Sequence, residues 1–160
     1  MAMDMFIKIG AVKGESADKK HAGEIDVLAW SWGMSNSGST HQGAGSGAGK
    51  VNVQDISFTK YIDVSSPDLI LAACNGKHFD KATLVVRKAG ETPLEYLTIT
   101  MQDVIVTSLS TGGSGGEDRL TENVTLNFGI FKVDYVEQTK TGGAGAKPSV
   151  GWNIPENVKV

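Results

Sequence analysis

One cysteine, four prolines and three histidines in 160 residues leave several protein classes without their raw material. Cys74 alone cannot form an internal disulfide, so it says nothing about redox compartment. It falls inside an apolar run, where a small buried hydrophobe is the expected role. No stretch approaches the ~20 apolar residues that span a bilayer. The start, MAMDMFIKIG, lacks the basic segment, sustained apolar stretch and cleavage site of a signal peptide. A formal net charge of −3 supplies neither a basic footprint for nucleic acid nor a polybasic membrane segment. The composition therefore points to a cytosolic chain with no nucleic-acid partner and no membrane insertion.

Catalytic and ligand motifs are equally scarce. The stretch GAGSGAGK (43–50) suggests a phosphate loop, but Ala44 stands where the first glycine is required and Val51 where the magnesium-binding hydroxyl belongs. A dinucleotide fingerprint is met only loosely by Gly43, Gly45 and Ala48, and a strand follows rather than a helix. TGGSGGED (111–118) resembles one calcium-binding turn, yet it occurs once and Glu117 replaces the usual aspartate. His21, His41 and His78 lie in separate polar segments, none with a second ligand at metal-site spacing, and read as surface residues. No nucleophile elbow is present, and the acidic residues are scattered. The reading is a chain without catalytic, cofactor or metal residues.

Twenty glycines and abundant Val, Ile and Thr point instead to short strands and tight turns. Met3, Met5, Ile7 and Ile9 alternate as one face of a strand. In 25–34, Leu28, Trp30, Trp32 and Met34 form a bulky face expected in the core; Val27, Ala29, Ser31 and Gly33 form a small one. That small face suits either a channel wall or a solvated sheet. SNSGSTHQGAGSGAGK (35–50) cannot pack a core and is a long loop. Apolar phase then shifts between Val51/Val53 and Ile56/Phe58/Ile62, predicting a bulge near Gln54 and Asp55. Two very long strands follow, 94–110 and 120–135. The first is expected to bend at Gln102–Asp103, the second at Gly129.

The one convincing helix precedes both, at about 66–75. Ser66 suits an N-cap, Pro67 the first turn and Asp68 the positive end of the dipole. Asn75-Gly76 ends it. Such a short apolar element must be pinned on a sheet. The predicted fold is mainly β: a barrel or sandwich of two bent antiparallel sheets with one short flanking helix, in a single domain over 1–160.

The stretch FTKYIDVSSPDLILAACNGKHFDKATLVVRKAG (58–90) resembles the haemolysin-coregulated protein (Hcp) family, the tube proteins of bacterial type VI secretion systems. The likeness extends to MFIKIGAVKGESADKKHAGEIDVLAWSWGMS (5–35), STGGSGGEDRLTENVTLNFG (110–129) and GWNIPENVKV (151–160). It implies a β-barrel with a flanking helix, assembled as a homohexameric ring, with rings stacked head to tail into a hollow tube. The tube would form in the cytoplasm and leave without a signal peptide, driven by a contractile sheath and tipped by a spike protein of the valine-glycine repeat type. Its lumen would hold effector toxins. On this resemblance Ala29, Ser31 and Gly33 are the candidate lumen residues. Ser39, Thr40, His41, Gln42 and Lys50 belong to an extended arm (35–50) toward the adjacent ring. Gly113, Ser114, Glu117 and Asp118 form a loop at the ring edge. A small-ligand-binding barrel, with Trp30 and Trp32 lining a pocket, is the competing reading.

Overall fold

A computed structural model describes residues 3–37, 49–90 and 92–160. Its strands in chain order are β1 (Met3–Ile9), β2 (Ile25–Asp26), β3 (Ala29–Ser31), β4 (Met34–Ser35), β5 (Asn52–Val53) and β6 (Ile56–Tyr61). After helix α1 (Ser66–Asn75) come β7 (His78–Lys88), β8 (Leu94–Thr111), β9 (Thr121–Tyr135), β10 (Ser149–Asn153) and β11 (Val158–Lys159). The mainly-β architecture with one short helix is as the sequence predicts. The strands fall into two antiparallel sheets of very unequal size. Nine of them form one antiparallel sheet in the order β11-β10-β9-β8-β7-β1-β2, with β6 and β3 branching from β9, and β4 and β5 make a separate ribbon.

The branch explains the long strands. The first half of β9 pairs with β6, from Thr121↔Tyr61 to Leu126↔Ile56; its second half pairs with β10, from Ile130↔Asn153 to Asp134↔Ser149. Strand β8 runs along the other edge of both halves. The phase breaks fall where expected. Ile99 and Met101 are buried, then Val104 and Val106, because Asp103 adopts a left-handed conformation at φ 55. Val124, Leu126 and Phe128 are buried, then Phe131, because Gly129 interrupts the alternation.

The sheet curls but does not close into a barrel. Residues 25–31 change partners part-way: β2 pairs with β1, whereas β3 pairs with β6. The Val27 N–H donates to Met5 O at 2.9 Å, and the next residue, Leu28, donates to Thr59 O at 2.8 Å. This exchange overturns the simple alternation. Val27 is buried in the core, while Leu28 and Met34 are exposed; Trp30 and Trp32 remain half-buried against the core. Trp32 meets Phe131 edge-on, with centroids 4.9 Å apart.

Helix α1 lays only Ser66, Leu69 and Ala72 onto the sheet, the i, i+3 stripe of a ten-residue helix. Ile70, Leu71 and Cys74 face outward, so Cys74 is exposed and not the buried hydrophobe expected. Gly76 ends the helix at φ 66, its N–H returning to Ala72 O. Ser65, not Ser66, occupies the N-cap position and makes no side-chain cap. Its hydroxyl and its N–H (2.8 Å) both donate to Asp63 Oδ1 instead, while the Ser66 hydroxyl turns inward to Glu122 Oε1 at 2.6 Å.

Candidate functional site

Lys60 is carried into the interior by the apolar phase of β6. In β6, Ile56, Phe58 and Lys60 point inward; in β9, Glu122, Val124 and Leu126 do. Both charged side chains are wholly buried, with Lys60 Nζ 2.5 Å from Glu122 Oε1. Lys60 also donates to Asp63 Oδ1 at 2.9 Å and Ser66 Oγ at 3.1 Å, and Ser66 donates to Glu122 Oε1 at 2.6 Å. Burial pushes the Asp63 carboxyl up, but hydrogen bonds from Ser65 and Lys60 outweigh it and hold the group below its ordinary range. Ile62, expected inward, is exposed because the inward phase ends at Lys60.

The other side of these strands carries small neutral side chains. One row across four strands reads Ser31, Ser57, Thr125 and Ser108; the next reads Ala29, Thr59, Asn123 and Ser110. They bond to one another: Thr59 Oγ1 donates to Asn123 Oδ1 at 2.6 Å, and Ser108 Oγ lies 2.7 Å from Thr125 Oγ1. Of the residues singled out in the sequence, Ala29 and Ser31 lie exposed on this face. Gly33 falls beyond the β3–β6 ladder, half-buried beside the Gln54 side chain, and accepts a hydrogen bond from Gln54 N–H at 3.0 Å. The remaining members were missed, although Ser57/Thr59 and Asn123/Thr125 alternate with core residues and could have been read.

The face ends in two unpaired strand edges. Strand β7 begins opposite Ile105, so β8 continues past it to Thr111 with a strand partner on one side only among the described residues. At the far side β3 pairs with β6 and with no other strand among the described residues. Gly113, Ser114, Glu117 and Asp118 form an exposed turn at the tip of the β8–β9 hairpin, next to the first of these edges. Lys50 is exposed, while Ser39, Thr40, His41 and Gln42 lie outside the described residues.

The reverse of the β1–β7 region is covered by residues 10–24. His21, expected at the surface, is buried: its ring stacks on Phe6 at 4.4 Å, and its nitrogens lie 2.9 Å from Glu24 Oε2 and 2.6 Å from Glu95 Oε1. Arg87 sits beside it, Nη2 at 2.5 Å from Asp18 Oδ1 and 3.2 Å from Asp4 Oδ2. The hydrogen bond from Arg87 holds the Asp18 carboxyl at about 2 against an ordinary 3.8. Among the described residues no group of three or more His, Cys, Asp or Glu is placed to hold a metal. No helix there is long and apolar enough to cross a membrane. An apolar groove of about 540 Å³ runs between the β4–β5 ribbon and β9–β10, but neither Trp30 nor Trp32 lines it.

Comparison with known proteins decides the family. Residues 6–135 match the model described as the type VI secretion system effector, Hcp. The chain belongs to the Hcp family. It is 65% identical to protein hcp1 of Pseudomonas aeruginosa over 161 residues, covering 99% of each chain. Among solved structures it resembles a type six secretion system protein at TM-score 0.94 and 31% identity, over 99% of this chain and 100% of the other. Hcp1 from Salmonella typhimurium superposes with a TM-score of 0.84 at 40% identity, covering 100% of both. A type VI secretion protein with the Hcp fold is therefore the frame in which the neutral face must be understood.

Proposed function

We propose that this Hcp-family chain is the tube subunit of a type VI secretion system, assembling as hexameric rings whose stacked lumen carries effector toxins. The observation that carries the reading is the neutral four-strand face bounded by two unpaired edges. Those edges differ, one from β8 and one from β3, so contacts between copies are heterologous. Edge-to-edge pairing of successive copies continues the sheet around a ring and satisfies backbone groups otherwise left to water. The small face then lines the hole, with Ala29 and Ser31 on it and Gly33 at its margin. The β8–β9 turn with Gly113, Ser114, Glu117 and Asp118 borders the ring contact. The segment with Ser39, Thr40, His41, Gln42 and Lys50 reaches the adjacent ring.

In this reading the chain works by assembly, not catalysis. It forms in the cytoplasm, is expelled by a contractile sheath, and meets a spike protein of the valine-glycine repeat type at the tube tip. The small-ligand barrel has less support, since Trp30 and Trp32 pack against core residues and border no described cavity. Electron microscopy of the purified protein tests the proposal. Six-fold annular particles with a central hole are expected; a species that stays monomeric at high concentration overturns it.

A further inference from the structure

The segment covering β1 and β7 holds a histidine whose two nitrogens both meet carboxylates. Residues 16–24 are stitched to themselves. Ser16 N–H donates to Glu24 O at 2.9 Å and Gly23 N–H to Ser16 O at 3.0 Å, while the Asp18 carboxylate accepts from the N–H groups of Lys20 and His21. Side chains tie this turn to the sheet. Asp18 binds Arg87 of β7, and His21 stacks on Phe6 of β1 and reaches Glu95 of β8. The His21 ring is buried, one nitrogen 2.6 Å from Glu95 Oε1 and the other 2.9 Å from Glu24 Oε2. The charged groups about it are Asp18, Lys19, Lys20 and Glu24 of its own segment, Asp4 of β1, Asp26 of β2 opposite Phe6, Arg87 of β7 and Glu95 of β8. Lys20 Nζ lies 3.5 Å from the same Glu95 oxygen, but that side chain is largely in solvent.

We propose that residues 16–24 form a pH-sensitive latch, closed on Glu95 while the His21 ring carries both protons and loosened when it gives one up. A carboxylate only accepts, so each of the two short contacts needs an N–H from the ring. The imidazolium has two. Neutral imidazole has one, and its other nitrogen turns a lone pair toward a carboxylate oxygen. Glu24 travels with His21 in the same turn, whereas Glu95 belongs to the sheet. Giving up Glu95 therefore frees the turn without undoing it. Histidine changes charge between about pH 5 and about pH 8, so the contact is present on the acid side of that change and lost on the alkaline side. Opening bares Phe6, which is buried beneath the ring. The latch lies within one subunit and stands independently of the tube reading.

Hydrogen exchange of the 16–24 amides tests it, read by mass spectrometry from about pH 5.5 to about pH 8 and corrected for the intrinsic rate. The range stops there because carboxylates take up protons further down. Protection in the wild-type chain should fall about ten-fold as pH rises, the worth of one hydrogen bond to a charged group. Glu95→Gln presents an amide that donates to the neutral ring as well as accepting from the charged one. Its protection should vary by less than about two-fold over the same range. His21→Gln, with no proton to lose, should give a flat profile at a lower level. A flat wild-type profile, or one that Glu95→Gln follows in parallel, overturns the latch. Residues 106–111, at the opposite end of β8 from Glu95, are the control. An equal loss there marks general opening or ring dissociation and equally overturns a local latch. Electron micrographs of the same samples keep the two ideas apart: monomers with pH-dependent protection at 16–24 support the latch and defeat the tube reading.

Discussion

Lys60 and Glu122 form an ion pair at 2.5 Å in which neither side chain reaches solvent, joining β6 to β9 directly beneath the neutral face. Buried pairs of this kind contribute little over an apolar replacement, but losing one partner strands the other charge. Lys60→Met should therefore destabilise the fold by about 3–5 kcal/mol, and Lys60→Met with Glu122→Leu should recover much of that. Urea denaturation of the two variants measures it; equal losses would show that the pair is not coupled.

Acid should weaken the covering segment through Asp18. Its folded carboxyl titrates at about 2 against an ordinary 3.8, so the unfolded chain takes up this proton first as pH falls. The contribution is complete above the ordinary value and is gone once pH has fallen through about 2. Asp18→Asn should flatten the loss of stability across that window. Denaturation midpoints of both proteins, followed from neutral pH downward, give the comparison.

The bend in β8 rests on a left-handed aspartate. At φ 55, Asp103 tolerates a conformation that β-branched residues resist. Asp103→Val should lose about 1–2 kcal/mol. Asp103→Gly, which suits that φ but gives up the contact to His78 at 2.9 Å, should change stability by less than about 1 kcal/mol. Thermal unfolding of the pair orders them.

Helix α1 offers a contrast between its two faces. Leu69 is wholly buried and Leu71 is 60% exposed. Leu69→Ala should cost about 2–5 kcal/mol, and Leu71→Ala within about 0.5 kcal/mol. Similar losses at both sites would mean that the outward face of the helix is covered in the working assembly.

Ser31 tests the lumen directly. A bulky replacement such as Ser31→Trp lies on an exposed position and should shift stability by no more than about 0.5 kcal/mol. Rings should still form, while retention of an effector in pull-down falls away. Full retention would remove Ser31 from the wall.

Much of this fold was legible because local rules and tertiary context agree. Pro67, Asp68 and Gly76 bracket the helix, and the phase slips at Asp103 and Gly129 mark where strands bend. Misreadings came where distant partners override local pattern. A histidine amid Asp18, Lys19 and Lys20 reads as surface, yet His21 is buried because Phe6 lies beneath it and Glu95 comes from another strand. Val27 and Leu28 trade places because the chain changes partner between them, which no alternation encodes. The inward turn of Lys60 did leave a signal. It continues the Ile56, Phe58 phase, as Glu122 begins the Val124, Leu126 phase, and two opposite charges extending two core stripes point to a buried pair. The members of the neutral face were readable as alternation; their union across four strands needed the topology.

The exchange of partners at residues 27 and 28 makes a mechanical seam. On one side of it the chain belongs to the β1 ladder, on the other to β6, and the crossing is stitched by single backbone bonds from Val27 and Leu28. Elsewhere the curl is carried by ladders many residues long. A load that prises the two lips of the sheet apart therefore concentrates on those few bonds. The subunit's give is built into this short hem, and there its curvature changes with least resistance.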